Sequence, residues 1–303
     1  MRTVLISGKR AFAGLAVLLG GMAQAAPVCN AVDCQGRDGG RVHDFVWEND
    51  KFGMRAYGPG DYHVWSGLDV FNKNTSRNVC IEWMLDPVRS THSSKPNLHD
   101  NLGEGMDNYT LGASRGVGGV ALFADGEWKT YPDWETCRRI HVGDDYLEFE
   151  LVYPAFSAAG KMTYHITLRR GERFFRNDVS FERMPANFLA GPGIDLEPGR
   201  DHKGSVREGP GFVSIFEDPK GADGKDGSTM AAILVADPSQ VTVMTDHMNC
   251  RVLAFKGRKE LTYWAGASWS LAGEITTADA WHEQVRNFLN QTKTTQTTKG
   301  MKP

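Results

Sequence analysis

The sequence predicts an all-β fold, a large antiparallel β-sandwich that ends in a short C-terminal helix. Three observations predict it. Hydrophobic and polar residues alternate in short runs that are separated by turn residues, as in packed antiparallel sheets. Helical periodicity occurs only near the C-terminus. The composition, with 41% hydrophobic and 23% charged residues, is that of an ordinary globular protein of 303 residues.

Three hairpins are predicted where two alternating runs flank a short turn. They occupy 41–57, 119–131 and 162–181, with turns at 48–51, 125–126 and 170–172. Further strands are predicted over 142–153, 230–236 and 241–246. The segment 218–228 carries three glycines among charged residues, which predicts an exposed loop. Successive strands without intervening helices favour a sandwich over a βαβ fold.

The single predicted helix runs from Ala280 to Leu289 after a Thr277-Ala278-Asp279 cap. Residues 291–303 are rich in Thr and Lys and poor in apolar side chains, so a disordered tail is predicted there. Residues 26–290 are then expected to form one β-sandwich domain.

Residues 1–25 have the order of a secretory signal peptide. Three basic residues precede an apolar run over 11–22, and Ala23-Gln24-Ala25 provides the small residues of a cleavage site. Cleavage before Ala26 and a periplasmic or secreted location are therefore predicted. The apolar run is too short to span a bilayer, so no membrane span is predicted.

Net charge argues against nucleic acid as a partner. Removing Arg2, Lys9 and Arg10 with the signal leaves 31 of the 34 basic residues against 37 acidic residues, a net charge of −6. Phosphate binding needs a basic face, which this balance does not favour.

Five cysteines follow the predicted signal, in a compartment where disulfides persist. Cys29 and Cys34 are candidates for one small loop, and Cys80 is a candidate to pair with Cys137 or Cys250. Spacing leaves the connectivity open, and one thiol must stay unpaired. A catalytic cysteine is the less favoured alternative.

The segment 97–119 is the densest polar stretch and the first candidate for chemistry. It contains one His, three acids, one Tyr and one Arg among six glycines. His99 and Tyr109 are possible proton carriers, and glycines allow backbone to approach a ligand closely. A Gly-rich connection whose acids cap turns is the alternative. A divalent cation among the acids is less favoured than solvated carboxylates, so no metal is predicted.

Other polar and aromatic clusters are candidates for substrate binding, because rings stack on sugars and cations meet acidic groups. The substrate-binding candidates are His63, Lys73, Glu104, Asp107, Trp128, Arg139 and His202. A core aromatic with a solvated charged rim is the alternative for each cluster. The chain has no phosphate loop, dinucleotide glycine spacing, HExxH, CxxC pair or GxSxG, so no cofactor is predicted.

Four segments together resemble the domain-of-unknown-function 4861 family, whose members are exported and often encoded beside polysaccharide-degrading enzymes. They are Glu48-Asn49-Asp50 with Phe52 to Pro59, Ser66 to Val70 with Lys73, His99 to Gly119, and Tyr263 to Ala267 with Trp269. The resemblance covers about residues 43 to 290. It implies a carbohydrate-active domain, since the family includes an oligosaccharide dehydratase of ulvan breakdown, and the substrate it implies is an acidic, uronic acid-containing oligosaccharide.

An elimination of this kind needs a base, an acid and a cation that steadies the developing enolate. His99, Tyr109 and Arg115 form one reasonable catalytic set, with Arg115 meeting the substrate carboxylate and Asp107 or Glu104 orienting His99 or binding hydroxyls. Which of His99 and Tyr109 is the base stays open at the level of sequence.

Two alternatives use the same residues. In a glycoside hydrolase, Glu104 and Asp107 would be the required pair of carboxylates. In a carbohydrate-binding protein without catalysis, the rings and charges would only hold the sugar.

Overall fold

The computed structural model describes residues 26–34, 43–58, 67–91, 93–111, 114–196, 204–217, 224–247 and 249–300, with backbone alone for 295–300. The predicted signal peptide and the substrate-binding candidates His63 and His202 lie outside the described residues.

Eighteen strands and two helices form the described part of the chain. In order, the strands are β1 (Asn30–Cys34), β2 (Asp44–Glu48), β3 (Gly53–Ala56), β4 (Leu68–Lys73), β5 (Gly105–Met106), β6 (Val117–Ala124), β7 (Glu127–Thr130), β8 (Thr136–Val142), β9 (Tyr146–Tyr153), β10 (Met162–Arg169), β11 (Phe174–Phe181), β12 (Leu189–Ile194), β13 (Gly204–Gly209), β14 (Phe212–Glu217), β15 (Thr229–Leu234), β16 (Val241–Thr245), β17 (Arg251–Lys256) and β18 (Glu260–Trp269). The helices are α1 (Val79–Leu85) and α2 (Ala278–Gly300). Short 3-10 turns cover Pro238–Gln240 and Ser270–Ala272.

The strands form three antiparallel sheets, so the predicted all-β sandwich is confirmed. Sheet I has the order β1-β2-β3-β4-β5, sheet II the order β13-β14-β15-β18-β11-β10-β9-β8, and sheet III the order β16-β17-β12-β6-β7. A parallel bridge between Leu68 and Gly116 joins sheet I to sheet III. Through this bridge, sheets I and III form one layer of the sandwich. Sheet II forms the other layer, and buried side chains from all three sheets share the core between the layers.

Aromatic rings fill the centre of this core. The Phe149 ring of sheet II lies 4.7 Å from that of Phe45 and 5.2 Å from that of Trp47, both of sheet I. The side chains of β9 alternate between buried and half-buried, as the period-2 pattern predicts. Contact between rings across the layers stabilises the sandwich beyond the area that they bury.

The predicted hairpins are present as β2–β3, β6–β7 and β10–β11. Asp125 and Gly126 have φ values of 56° and 86°, as a two-residue hairpin turn requires. The strands on either side of Asp237 do not pair with each other. β15 lies in sheet II and β16 in sheet III, so the 3-10 turn there crosses between the layers.

The helices cover the outer faces of the sandwich, and both differ from prediction. α1 was not predicted, and its side chains Val79, Ile81 and Trp83 pack on the outer face of sheet I. Seven residues are too few to show a helical period, so packing decides the conformation.

The helix α2 packs on the outer face of sheet II through Trp281, Val285 and Leu289. It continues to Gly300, so residues 291–300 are helical where a disordered tail was predicted. Extending an existing helix gains one hydrogen bond per residue, without the cost of a new first turn. No helix of the described part is long and apolar enough to cross a membrane.

All five cysteines are described and all are unpaired thiols, so the predicted disulfides are wrong. The side chain of Cys29 belongs to the core between the layers, whereas that of Cys34 lies under α1. They point to opposite faces of sheet I because five positions separate them along a strand with period 2.

Candidate functional site

The segment 97–111 crosses the edge of sheet I. Its strand β5 pairs with β4, and the Asp107 amide donates to the Leu98 carbonyl at 2.8 Å. The Arg115 carbonyl then accepts from the amides of Leu68 and Gly119, close to the bridge that joins sheets I and III. The predicted catalytic residues are therefore carried along the junction of the two sheets.

His99 is held by the backbone of the same segment. Its Nδ1 lies 2.8 Å from the Asp107 carbonyl oxygen. A carbonyl oxygen only accepts, so Nδ1 carries the proton and the lone pair of the neutral ring is on Nε2. The side chain is 37% exposed. The ring of His99 is thus held in a fixed orientation at a partly exposed position.

Asp107 connects His99 to a buried arginine. Its Oδ2 lies 3.8 Å from His99 Nδ1 and 3.2 Å from Arg55 Nη2. The Arg55 guanidinium also donates to Asp69 and to the Tyr57 hydroxyl, while Tyr57 donates to Asp69 at 2.8 Å. Asp107 and Arg55 are almost fully buried. The Asp107 carboxylate is therefore placed inside the protein between His99 and Arg55, and its predicted role in orienting His99 or binding hydroxyls stays a prediction.

The Tyr109 side chain enters the core between the layers and is 5% exposed. Its hydroxyl has no hydrogen-bond partner among the described residues. Burial raises the pKa of Tyr109 well above its ordinary value, and the charges of Asp195 and Glu217 raise it further. The phenol therefore keeps its proton at ordinary pH and can give up a proton but cannot act as a base.

Asn108 fixes the backbone next to Tyr109. Its side-chain amide donates to the Asp226 carbonyl at 3.0 Å, and its side-chain oxygen accepts from the Thr229 hydroxyl at 3.0 Å and from Asn72. These contacts join sheet I to the start of β15 in sheet II. Because Asn72, Asn108 and Thr229 are buried and hydrogen-bonded to one another, they hold the segment beside Tyr109 against both sheets.

Asp195 and Glu217 are two buried carboxylates whose charges raise the pKa of Tyr109, and the sequence analysis did not single them out. Asp195 follows β12 and donates its amide to the Gly116 carbonyl at 2.9 Å. Glu217 is the last residue of β14 and is buried. The sequence does indicate that Glu217 is buried, because alternation along β14 puts it on the same face as the core residues Val213 and Ile215. For Asp195, the sequence offers no comparable signal.

Arg115 is 2% exposed and pairs with Asp246, with 3.1 Å between Nη2 and Oδ2. Burial lowers the pKa of Arg115, and the Asp246 carboxylate opposes that effect. The side chain lies across Gly193, where a Cβ would stand 2.6 Å from Arg115 Cγ. The expected contact with a substrate carboxylate would require this ion pair to open.

The three predicted catalytic residues belong to neighbouring polar groups. Asp69, which binds Arg55, is close enough to Tyr109 to raise its pKa, and so is Cys250. The Cys250 amide donates to the Asp246 carboxylate at 2.9 Å, and that carboxylate pairs with Arg115. His99 thus belongs to one group, with Asp107, Arg55 and Asp69, and Arg115 belongs to another, with Asp246 and Cys250; charges from both groups act on Tyr109.

Lys73 has a structural role, and its predicted role in substrate binding is wrong. Its side chain is fully buried, and the ammonium group donates to Glu48 and to the carbonyls of Asn49 and Arg77 at 2.5, 2.8 and 2.5 Å. An ammonium group has three hydrogens. None is left for a ligand.

Trp128 and Arg139 are also placed differently from prediction. The Trp128 ring is buried 5.4 Å from that of Phe123, so it is not open for stacking on a sugar. Arg139 is exposed on β8 and donates to the Ala31 carbonyl at 3.3 Å. It lies beside β1, at the edge of sheet I opposite to β5, and does not join the other candidates.

Glu104 is at the surface and pairs with Arg77 at 2.8 Å. Asp107 is buried with Arg55, so the two carboxylates of the predicted hydrolase pair have separate partners. Among the residues that the structure describes, no group of three His, Cys, Asp or Glu side chains is arranged to hold a metal ion.

The protein is thus a two-layer antiparallel β-sandwich that has buried polar side chains near the junction of sheets I and III. The chain belongs to the family described as "Domain of unknown function (DUF4861)", whose profile matches residues 20–297, and the resemblance noted in the sequence is confirmed.

Among curated proteins, the chain is similar to "Uncharacterized protein P7" of Formosa agariphila, with 26% identity over 276 residues. The match covers 84% of this chain and 66% of that protein, so the chain spans about two thirds of the length of its relative. Among solved structures, it is similar to the periplasmic domain of Thermotoga maritima YidC, with a TM-score of 0.40 and 8% identity, over 82% of this chain and 94% of that one.

Proposed function

We propose that the protein is an exported carbohydrate-active enzyme that removes water from acidic, uronic acid-containing oligosaccharides by elimination, as a carbon–oxygen lyase. The observation that carries the proposal is the fixed ring of His99, whose Nδ1 is held by the Asp107 carbonyl so that Nε2 is the basic nitrogen, in a side chain that is 37% exposed. The sequence of residues 1–25 supports export.

His99 serves as the base in this proposal. Its Nε2 takes the proton from the carbon next to the substrate carboxylate. The electron pair of that C–H bond forms a carbon–carbon double bond, and the adjacent C–O bond breaks. The departing oxygen receives the phenolic proton of Tyr109 and leaves as water. Solvent then takes the proton from His99 and returns one to Tyr109, which restores both groups.

Tyr109 fits the acid better than the base. Burial and the charges of Asp195 and Glu217 raise the pKa of its phenol, so a phenolate base is not present at neutral pH. Departing hydroxide is a strong base, since water is a much weaker acid than an ordinary phenol. Proton transfer from Tyr109 to that oxygen is therefore favourable as the C–O bond breaks.

The substrate carboxylate needs a cation, because negative charge builds up beside it during proton abstraction. Arg115 supplies that charge if the carboxylate replaces Asp246 as its partner. This exchange keeps the guanidinium paired, while Asp246 keeps the hydrogen bond from the Cys250 amide but loses its cation, and that loss is the energetic cost of the step.

A glycoside hydrolase is the second candidate, and one observation favours it. Asp195 and Glu217 are two buried carboxylates near one phenol, and hydrolysis of a glycosidic bond uses a pair of carboxylates. In this candidate function, Asp195 and Glu217 take the place of the predicted pair Glu104 and Asp107. Glu104 is paired with Arg77 and Asp107 with Arg55.

Mass spectrometry of acidic oligosaccharides after incubation with the protein separates these functions. Elimination predicts the loss of one water, and hydrolysis predicts the gain of one. Saturable binding without a change in mass would indicate a carbohydrate-binding protein and would contradict the proposed enzyme. The variant His99→Asn is the matched control, because its amide can still donate to the Asp107 carbonyl but carries no base.

A further inference from the structure

Two connections cross between the layers at one end of the sandwich. The turn at 238–240 leads from β15 in sheet II to β16 in sheet III, and the turn at 257–259 leads from β17 in sheet III back to β18 in sheet II. Since β15 pairs with β18 and β16 pairs with β17, the two connections run side by side. Residues of both line a cavity of about 430 Å³. This volume is within the range of pockets that bind small ligands.

The lining of the cavity is apolar in its depth and polar at its edge. Val235 and Ala236 are buried, at 2% and 4% exposure, whereas Arg258, Lys259 and Glu260 are exposed. Apolar surface beside a few polar groups is the usual lining of a small-molecule site. It suits a ligand with an apolar face and several polar groups, as a sugar ring has.

The two cations at the edge are held in place through their backbone. The Lys259 carbonyl accepts from the Phe181 amide at 2.9 Å. The amide of the preceding Gly257 donates to the Phe188 carbonyl at 2.8 Å. Among the residues that the structure describes, no carboxylate forms an ion pair with the Arg258 or Lys259 side chain. Both charges are therefore open to a ligand.

The carboxylate of Asp237, in the wall of the cavity, is engaged within its own turn. It accepts from the Ser239 amide and hydroxyl at 3.0 and 2.6 Å, and from the Gln240 side chain at 2.9 Å. These hydrogen bonds lower the pKa of Asp237, and the charge of Arg258 lowers it further. Glu260 is the other acid of the lining, and its carboxylate can accept hydrogen bonds from hydroxyl groups.

We propose that this cavity binds a sugar that carries a carboxylate or a sulfate ester, with the anionic group on Arg258 and Lys259 and a hydroxyl donating to Glu260. A guanidinium can hold two oxygens of such a group by parallel hydrogen bonds, and the ammonium adds a second positive charge. The apolar face of the sugar ring then lies against Val235 and Ala236.

The cavity is separate from the candidate catalytic residues. The strand β15 begins at Thr229, which contacts Asn108 beside Tyr109, and ends at Leu234 before the cavity. A strand of this length separates the two places by roughly 20 Å. The proposal goes beyond the proposed function, because no residue of the elimination lines the cavity.

The test follows backbone amide NMR signals during titration, since these report where a weak ligand binds. The ligands are glucuronate, a glucose sulfate, neutral glucose and acetate, which has the charge without the sugar. The proteins are the wild type, Arg258→Gln, Lys259→Gln and the control Arg286→Gln, which removes one cation from the exposed face of α2.

In the wild type and the control, at least one acidic sugar is expected to shift the signals of 235–240 and 257–262. Its affinity should exceed that of glucose and of acetate at least about 10-fold, since hydrogen bonds to charged groups are strong. Tighter binding of glucuronate would assign a carboxylate to the cavity, and tighter binding of the glucose sulfate would assign a sulfate ester. Arg258→Gln should weaken the binding about 10-fold, and Lys259→Gln several-fold.

Three results would overturn the proposal. They are equal affinities for glucose and the acidic sugars, acetate binding as tightly as the acidic sugars, and undiminished binding in Arg258→Gln. The amide spectra also show that the variants are folded, as expected for changes of exposed side chains.

His99→Asn separates this proposal from the elimination. It should bind the acidic sugar at 235–240 and 257–262 as the wild type does. Failure of the elimination shows as unchanged product mass, whereas failure of the second site shows in these amide signals.

Discussion

The backbone carbonyl of Asp107 fixes the imidazole of His99, with 2.8 Å between that oxygen and Nδ1. The same residue also presents its carboxylate 3.8 Å from Nδ1. A carbonyl partner sets which nitrogen is protonated, and the nearby negative charge favours the imidazolium that forms when Nε2 takes a proton. In the proposed elimination, Asp107 would thus orient His99 as the base and stabilise the imidazolium that forms.

Replacing His99 is expected to separate chemistry from folding. In His99→Asn, the amide can keep the hydrogen bond to Asp107, so the free energy of unfolding should stay within about 0.5 kcal/mol of wild type. Turnover should fall about 100-fold or more, since the general base is lost. Denaturant unfolding and product formation measure the two effects. A fully active, folded His99→Asn would remove His99 from the mechanism.

Tyr109→Phe is expected to be as stable as wild type or up to about 1 kcal/mol more stable, because it removes a buried hydroxyl that has no hydrogen-bond partner among the described residues. Its turnover should nevertheless fall about 100-fold or more. Thermal unfolding together with product formation tests this combination. Lower stability with unchanged activity would indicate a hydroxyl that is structural.

Lys73→Met is expected to destabilise the fold by about 3–5 kcal/mol, because Glu48 would be left buried without its cation. Burial already raises the pKa of Glu48, and Lys73 opposes that shift. The double variant Lys73→Met with Glu48→Gln should recover most of the loss, which a double-mutant cycle of unfolding measures. A change in KM without a change in stability would restore Lys73 as a substrate-binding residue.

His282 on α2 is expected to make stability depend on pH. Its ring lies between the hydroxyls of Ser205 and Ser214, at 2.9 and 2.7 Å, and burial followed by the charge of Arg207 lowers its pKa from 6.5 to about 4. Between these values the unfolded chain binds a proton that the folded protein does not. Stability should therefore fall as pH falls from 6.5 to 4, by up to about 3 kcal/mol.

The control for this prediction is His282→Gln, which removes the titrating group. The free energy of unfolding should change less over the same pH range in this variant than in wild type. Identical pH profiles for the two proteins would show that His282 does not supply the dependence.

Much of the fold follows from local patterns. The turn at Asp125-Gly126 and the alternation in β9 each depend on residues close in sequence, so both were predictable. α1 and the length of α2 were not, because packing on a sheet and extension of an existing helix override weak local preferences. The unpaired cysteines followed from strand parity only after β1 was placed.

The candidate site was predictable only in part. His99, Asp107 and Tyr109 stand close together in sequence among glycines, which made them visible as a group. Asp195 and Glu217, whose charges raise the pKa of Tyr109, come from strands that are distant in sequence, and no local pattern indicates that effect. Lys73 resembled a surface cation in sequence, whereas its burial depends on contacts with Glu48 and two carbonyl groups.

Isotope labelling tests the central claim most directly. The substrate is an acidic oligosaccharide carrying deuterium on the carbon next to the carboxylate, and the product is analysed by mass spectrometry. If His99 is the base of an elimination, the product has lost the hydroxyl group together with the deuterium. His99→Asn should form this product about 100-fold or more slowly. A product that has gained water and kept all of its deuterium, formed at the same rate by both proteins, would contradict the account.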